Sequence, residues 1–247
     1  MKLSIIIPAL NEAAGIEATL LRLQPWRAAG DRTAGEDFKV EIIVADGGST
    51  DDTRARAAPF ADRVIDALCG RARQMNAGAA AASGDALLFL HSDTILPETA
   101  PRAILEALSG QKALAPTVSV LALEPKKGWG RFDVSISGAP ALLPVVAWSM
   151  NLRSRLTGIA TGDQAMFMTR AAFEAAGGFP DQPLMEDLEM SRRLKRLGAP
   201  VCLRLKVTTS GRRWETRGVW RTIFLMWRLR LAYFFGASPE YIAARYR

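Results

Sequence analysis

Cysteine and histidine are scarce in this chain of 247 residues, which holds two cysteines and a single histidine. Cys69 and Cys202 lie far apart in the sequence, and neither has the metal-ligating neighbours of a zinc site. We therefore expect two free thiols in a reducing compartment, which predicts a cytoplasmic protein.

Long apolar segments are missing as well. No uncharged stretch reaches the length that crosses a bilayer, and the apolar start of the chain, residues 1–10, is too short for a signal peptide. Near the C-terminus, Trp220–Gly236 combines aromatic and aliphatic side chains with three arginines, which predicts a C-terminal amphipathic helix. This helix either packs on the domain or forms an interface, so a peripheral contact with the inner membrane face and a homodimer both stay open.

Acidic residues are outnumbered by basic ones, which gives a formal net charge of +7. The excess lies mainly between Arg192 and Arg230. It favours an anionic partner, such as a diphosphate, a membrane surface or a nucleic acid, although a solvated basic face would explain it equally well. Hydrophobic residues make up 49% of the chain, which is enough for a sizeable core.

Apolar runs and helical patterns alternate along the chain. Strands are predicted at residues 2–7, 40–45, 62–66, 86–90, 113–123, 132–136, 165–168 and 201–205. Helices are predicted at residues 12–23, from 49, and at 71–82, 97–108, 142–156, 171–176 and 186–197, with Pro25 closing the first of them. The alternating order of the first third predicts an α/β fold with a mostly parallel sheet and helices on both faces.

Three predicted strands run into polar residues at their carboxyl ends, where ligands bind in open α/β sheets. Glu12 follows the first strand, Asp46 with two glycines follows the second, and Asp93 follows the strand at residues 86–90. One carboxylate beside substrate phosphates and water is enough to hold Mg²⁺ or Mn²⁺, so Asp93 is a candidate metal ligand. His91 is a second ligand, a diphosphate contact or a core imidazole.

Several of these side chains have a structural interpretation beside the functional one. Asp46 either contacts a nucleoside or closes a strand-to-helix turn, and Glu12 is either a nucleotide contact or a helix first-turn acid. Arg71 lies at a helix start, where an anionic ligand would explain its charge. Glu186 and Asp187 open an amphipathic helix, so they are either capping acids or candidates for a general base.

Together, these motifs resemble the inverting family 2 glycosyltransferases with the GT-A fold, over essentially the whole chain. The matching residues are Pro8–Glu12, Asp46–Asp51, Gly70–Gly78, His91–Asp93, Gly177–Phe179 and Glu186–Asp187. Residues 161–164, 184–187 and 210–214 are similar to a narrower bacterial subgroup that is often labelled with arsenosugar biosynthesis. The resemblance implies a GT-A (Rossmann-like) domain over residues 1–215, with a nucleotide-binding half at about 1–110 and an acceptor half at about 111–215. Residues 216–247 would form a helical extension.

The resemblance also implies a function. The chain would move a sugar from a UDP- or GDP-linked donor to an acceptor hydroxyl with inversion, assisted by Mg²⁺ or Mn²⁺. The nucleotide would be held by Pro8, Ala9, Glu12, Asp46, Gly48 and Arg71, the metal by Asp93 and His91, and the diphosphate by Arg212 and Arg213. The sugar or acceptor would meet Asp163, Gln164 and Trp214, and the base would be Asp187, with Glu186 as the alternative. His91 departs from the family pattern, which has a carboxylate at that position of its metal motif.

Two rival hypotheses remain. A sugar-phosphate nucleotidyltransferase would show a glycine-rich loop with a basic residue after the first strand, and Pro8–Glu12 has neither feature. A non-catalytic binder of anionic surfaces would need only the basic C-terminal third, but it leaves the carboxylates at three strand ends unexplained. A nucleic-acid partner is not expected.

Overall fold

The computed structural model describes residues 1–29, 39–109 and 128–246. The strands in this part are β1 (Lys2–Ala9), β2 (Lys39–Asp46), β3 (Arg63–Asp66), β4 (Ala86–Phe89), β5 (Trp129–Ser137), β6 (Phe167–Thr169) and β7 (Val201–Ser210). Its helices are α1 (Ile16–Ala29), α2 (Thr53–Ala57), α3 (Arg71–Ala81), α4 (Ala100–Ser109), α5 (Leu143–Thr157), α6 (Arg170–Ala175), α7 (Glu186–Leu197), α8 (Arg212–Arg217), α9 (Val219–Phe234) and α10 (Pro239–Tyr246).

The strands form one seven-stranded sheet in the order β3-β2-β1-β4-β6-β5-β7. Strands β3, β2, β1 and β4 are parallel neighbours, and β5 is parallel to β7. Strand β6 runs antiparallel to both β4 and β5. The predicted α/β fold with a mostly parallel sheet is therefore confirmed.

Alternate residues of a strand point to opposite faces of the sheet, and both faces are covered by helices. On β1, Ile5 and Ile7 join one hydrophobic cluster and Ile6 joins another. Helices α1 and α4 cover the first face through side chains such as Leu20 and Ile104. Helices α3 and α7 cover the second face. Two covered faces explain why the strand sequences are continuously apolar rather than alternating.

Helix α3 approaches the sheet closely at Gly78. A Cβ atom at this position would lie 2.4 Å from Cγ2 of Ile6, so only glycine fits without a shift of the helix. The neighbouring Asn76 donates to the carbonyl of Phe179 at 2.8 Å and accepts from its N–H at 2.9 Å. Asn76 and Gly78 therefore fix α3 against β1 and against the loop that precedes α7.

Some predicted boundaries were wrong. Helix α1 continues through Pro25 to Ala29. The carbonyl that loses its helical partner belongs to Leu21, whose side chain is 47% exposed, so water can satisfy that group. Strands β5 and β7 extend beyond residues 132–136 and 201–205 because they pair from Gly130 to Ser137, with one shift of register after Phe132. The strand predicted at residues 113–123 lies outside the described residues.

The C-terminal region contains the expected amphipathic helix, α9, between the shorter helices α8 and α10. Its inner side packs on the segment before α7, in a cluster formed by Met185, Leu229 and Ile242. Within the described residues, no helix is both long enough and apolar enough to cross a membrane.

Candidate active site

The parallel pairing of β1, β2 and β4 delivers three chain segments to one edge of the sheet. Ala9 is in register with Asp46 at the ends of β1 and β2. Strand β4 pairs with β1 up to Phe89, opposite Ile6, and leads into His91–Asp93. The structure therefore brings together the three groups of polar residues that follow the predicted strands.

Asp46 organises the turn after β2. It is 1% exposed, and its carboxylate accepts from the N–H groups of Gly48 and Ser49 at 3.1 and 3.0 Å. Gly48 has φ of +90°, a left-handed conformation that suits glycine, and a Cβ there would meet nothing within 4 Å. The turn is thus held in place by the Asp46 carboxylate, and the space beside the Cα atom of Gly48 is open.

Gln74 of α3 joins the ends of β1 and β2. Its buried side-chain amide donates to the carbonyl of Ala9 at 2.7 Å and to that of Ala45 at 3.0 Å. A Cβ on Gly47 would lie 2.9 Å from the Gln74 amide, so that glycine is needed as well. Sequence analysis gave Gln74 no role, because a glutamine inside a helical pattern normally faces solvent.

Glu12, Asp93 and Arg212 interact at the same edge. Burial raises the pKa of Glu12, and the nearby negative charge of Asp93 raises it further, whereas Arg212 acts in the opposite direction. Two neighbouring carboxylates that repel each other are suited to a divalent cation, which prefers oxygen ligands. In the described part of the chain, no group of three or more His, Cys, Asp and Glu side chains could hold a metal unaided. A cation here would need oxygens from a substrate or water.

His91 faces Asp163 across the β4 and β6 ends. Its Nδ1 lies 3.6 Å from Oδ1 of Asp163, and its Nε2 is buried without a hydrogen-bond partner. Burial opposes ionisation of Asp163, but the interaction with His91, together with the positive charges of Arg71 and Arg213, outweighs it and lowers the pKa of that carboxyl. A Cβ on Gly162 would lie 2.4 Å from Nε2 of His91, so the ring also requires glycine in the 162–164 turn.

The first turn of α7 carries the acids Glu186 and Asp187 beside this pair. The carboxylate of Asp187 accepts from the N–H of Gly162 at 2.9 Å and from that of Leu188 at 2.7 Å. Burial, together with the charge of Glu186, raises the pKa of Asp187 to about 6. Glu186 is 3% exposed and lies 3.5 Å from Nη1 of Arg71. A carboxylate whose pKa lies near neutrality is suited to act as a general base.

One small cavity connects these groups. Arg71, His91, Gly162, Glu186 and Asp187 all line it, with apolar walls from Met75, Phe89, Met166 and Phe179. The predicted candidates Arg71, His91, Asp187 and Glu186 are therefore neighbours in space, although more than 90 residues separate some of them in sequence.

Arginines surround the acidic groups. Arg212, Arg213 and Arg217 line an open cleft of about 330 Å³ together with Thr216. Burial lowers the pKa of Arg213, and the neighbouring Arg217 and Arg71 lower it further, which marks a concentration of positive charge. Arg213 also lies over the ring of Tyr246, 3.7 Å from its centroid. This cleft has the charge that a diphosphate would require.

The family model for glycosyl transferase family 2 matches residues 4–174. The chain belongs to this family. Glucosyl-3-phosphoglycerate synthase of Mycobacterium tuberculosis strain H37Rv is 34% identical over 104 residues, which cover 38% of this chain and 30% of that protein. The chain thus spans about a third of the length of this curated relative.

Solved structures match this family 2 chain over most of its length. TarS of S. aureus, as residues 1–349 in complex with UDP-GlcNAc, has a TM-score of 0.61 at 17% identity, covering 85% of this chain and 58% of that one. The mannosyltransferase PcManGT of Pyrobaculum calidifontis, in complex with GDP-Man and Mn²⁺, has a TM-score of 0.58 at 22% identity, covering 93% of this chain and 60% of PcManGT. These similarities confirm the predicted GT-A fold.

The remaining residues predicted for the site differ in how far they are exposed to solvent. Pro8 and Ala9 end β1, and Ala9 is 1% exposed. Gln164 is fully buried, and its amide bonds to Thr161 and Asn151. It therefore supports the turn of Asp163 from behind rather than facing a ligand. Trp214 lies half-buried on α8, next to Arg213.

Arg153 on α5 is a residue that sequence analysis missed. Its Nε and Nη2 atoms are buried without hydrogen-bond partners. Burial lowers the pKa of its guanidinium, and the carboxylates of Asp187 and Asp163 counteract this effect. Arg153 therefore supplies positive charge behind the candidate base, and no sequence pattern distinguishes it from Arg155, the other arginine of α5.

Proposed function

We propose that this chain transfers a sugar from a nucleotide-diphosphate donor to an acceptor hydroxyl with inversion of the anomeric centre. The observation that carries the proposal is Asp187, a half-buried carboxylate with a raised pKa that lines the same cavity as His91 and Arg71. Family membership and the UDP-GlcNAc and GDP-Man complexes of structurally similar proteins support a UDP- or GDP-linked donor.

The donor would lie along the carboxyl edge of β1, β2 and β4. Pro8, Ala9, Glu12, Asp46 and Gly48 would surround the nucleoside, with Arg71 above the base or ribose. Asp93, with Glu12 beside it, would hold Mg²⁺ or Mn²⁺ against the diphosphate, and that cation would neutralise charge on the leaving group. Arg212 and Arg213 would bind the same phosphates through charge-assisted hydrogen bonds.

The acceptor would enter beside the turn of residues 162–164. Asp187 would take the proton of the attacking hydroxyl, while Asp163 and Trp214 would orient the sugar or acceptor. One base and one displacement from the face opposite the leaving group give inversion, by the logic that separates inverting from retaining hydrolases. The geometry favours Asp187 over Glu186, because the Glu186 carboxylate is already paired with Arg71.

Calorimetric titration with UDP and GDP, each with and without Mn²⁺, tests the donor site. We expect micromolar binding of one nucleotide that strengthens when Mn²⁺ is present. A sugar-phosphate nucleotidyltransferase would instead bind a nucleoside triphosphate, so UTP and GTP serve as comparison ligands. If neither UDP nor GDP bound in the presence of Mn²⁺, the proposal would be contradicted.

The raised pKa of Asp187 predicts a pH dependence of transfer. Asp187 is a base only when deprotonated, so kcat/KM should fall about tenfold per pH unit below about pH 6 and be level above it. In Glu186→Gln, the neighbouring negative charge is removed, so the acidic limb should move to lower pH. Rates of donor turnover with an acceptor panel, measured from pH 5 to 8, check both statements. A flat profile in the parent protein would count against Asp187 as the base.

A further inference from the structure

Helix α9 presents an apolar stripe to solvent. Five large side chains along it are each between 59% and 74% exposed. They are Trp220, Phe224, Trp227, Leu231 and Phe234. Large exposed apolar patches of this kind mark interaction surfaces rather than ordinary protein exterior.

The stripe points away from the body of the protein. At about 100° per residue, its five side chains fall within about 40° of one line along the helix. Thr222 and Leu229, which are 3% and 1% exposed, lie on the opposite side. Leu229 packs there against Met185 in the cluster that joins α9 to the segment before α7. The inner face of α9 therefore fixes the helix, and among the described residues its outer face stays exposed.

Basic side chains border the stripe. Arg221 and Arg228 lie about 80° to 100° from it on one side, and Arg230 lies about 80° away on the other. Helix α9 contains no acidic residue, and the exposed Arg217 precedes it. An apolar, aromatic-rich face between two basic edges is the pattern of a helix that lies in a membrane interface.

We propose that the outer face of α9 binds the surface of a bilayer that contains anionic lipids. Trp and Phe side chains would enter the boundary between headgroups and acyl chains, and the arginines would contact lipid phosphates. A second copy of the chain fits this face less well, because pairing two such helices would bring arginines of the same charge together. The 16 residues of α9 are too few to span a bilayer, so the helix would lie parallel to its surface.

Vesicle flotation of the full chain tests this proposal. We expect partitioning on the order of tenfold stronger into vesicles of phosphatidylcholine with phosphatidylglycerol than into phosphatidylcholine alone, with the preference reduced by added salt. The double variant Phe224→Glu/Trp227→Glu should lose binding to both. Arg221→Gln/Arg228→Gln should lose the preference for anionic vesicles. Leu21→Glu, at an exposed apolar residue on α1, is the matched control and should bind like the parent.

Circular dichroism and the nucleotide titration establish that each variant is folded, so a loss of vesicle binding reports on the surface itself. Light scattering after gel filtration measures the oligomeric state and so tests the alternative, in which a second copy of the chain covers this face. The proposal is overturned if the parent does not bind anionic vesicles. It is also overturned if Phe224→Glu/Trp227→Glu floats with vesicles as well as the parent does. A parent protein that is a dimer, becomes a monomer in Phe224→Glu/Trp227→Glu and does not bind vesicles would overturn it as well.

Discussion

Asp187→Asn is expected to lower kcat by roughly 10²- to 10⁴-fold, the range over which a positioned general base accelerates a reaction. The amide keeps the size of the side chain and can still accept from the N–H of Gly162, which now bonds to the carboxylate at 2.9 Å. It cannot take a proton from the acceptor hydroxyl. The affinity for the nucleotide should stay within a few-fold of the parent, because the proposed role of Asp187 is toward the acceptor and not toward the nucleotide. Initial rates and calorimetry on the same preparations separate the two effects.

Asp181→Asn is the matched control for this substitution. Asp181 lies in the same loop region before α7, where it forms an exposed ion pair with Arg73 at 2.7 Å. Its replacement removes one carboxylate without touching the cavity, so the rate should be nearly unchanged. If Asp187→Asn retained more than a tenth of the parental rate while Glu186→Gln did not, the assignment of the base would pass to Glu186.

Asp93→Ala is expected to abolish the effect of Mn²⁺ on nucleotide binding and to lower the transfer rate on the order of a hundredfold or more. Asp93 and Glu12 already interact as neighbouring negative charges, so they form an acidic pair that a cation would neutralise. Without Asp93, the pKa of Glu12 should also fall, because a source of repulsion is removed. Calorimetry with and without Mn²⁺ measures the first effect directly.

Asp52→Asn provides the comparison for Asp93. Asp52 is an exposed acid at the start of α2, on a loop that follows the same edge, and its side chain makes no capping hydrogen bond. Binding in this variant should respond to Mn²⁺ as in the parent. A Mn²⁺ effect that persists in Asp93→Ala would mean that the cation is held elsewhere.

The mostly parallel character of the sheet was predictable from sequence because both of its faces are buried, whereas its strand order and the antiparallel course of β6 were not. A strand such as β4, covered on both sides, leaves a continuous apolar run that ends where the chain leaves the core. Asp93 stands out for that reason. The course of α1 beyond Pro25 was not predictable, since it depends on Trp26 packing against a core assembled from distant strands.

The candidate site was predictable only in its exposed or terminal residues. Asp187 and Arg71 mark helix starts, and such positions can be read from the local pattern. The burial of Gln164 and the position of Arg153 behind Asp187 depend on how α5 and the 162–164 turn pack against each other. The sequence also could not show that His91 pairs with Asp163, because that contact joins segments 72 residues apart.

Gln74 has a consequence for the thermodynamics of donor binding. Its amide donates to the carbonyls of Ala9 and Ala45, so the paired ends of β1 and β2 are also tied to helix α3. If the nucleoside binds above these strand ends, as proposed, the surface beneath it is already ordered when the chain folds, and little backbone entropy would be lost when the donor binds. Such a rigid surface at the ends of β1 and β2 would also discriminate between nucleotides by the size of the base, because it does not adjust to a base that fits poorly.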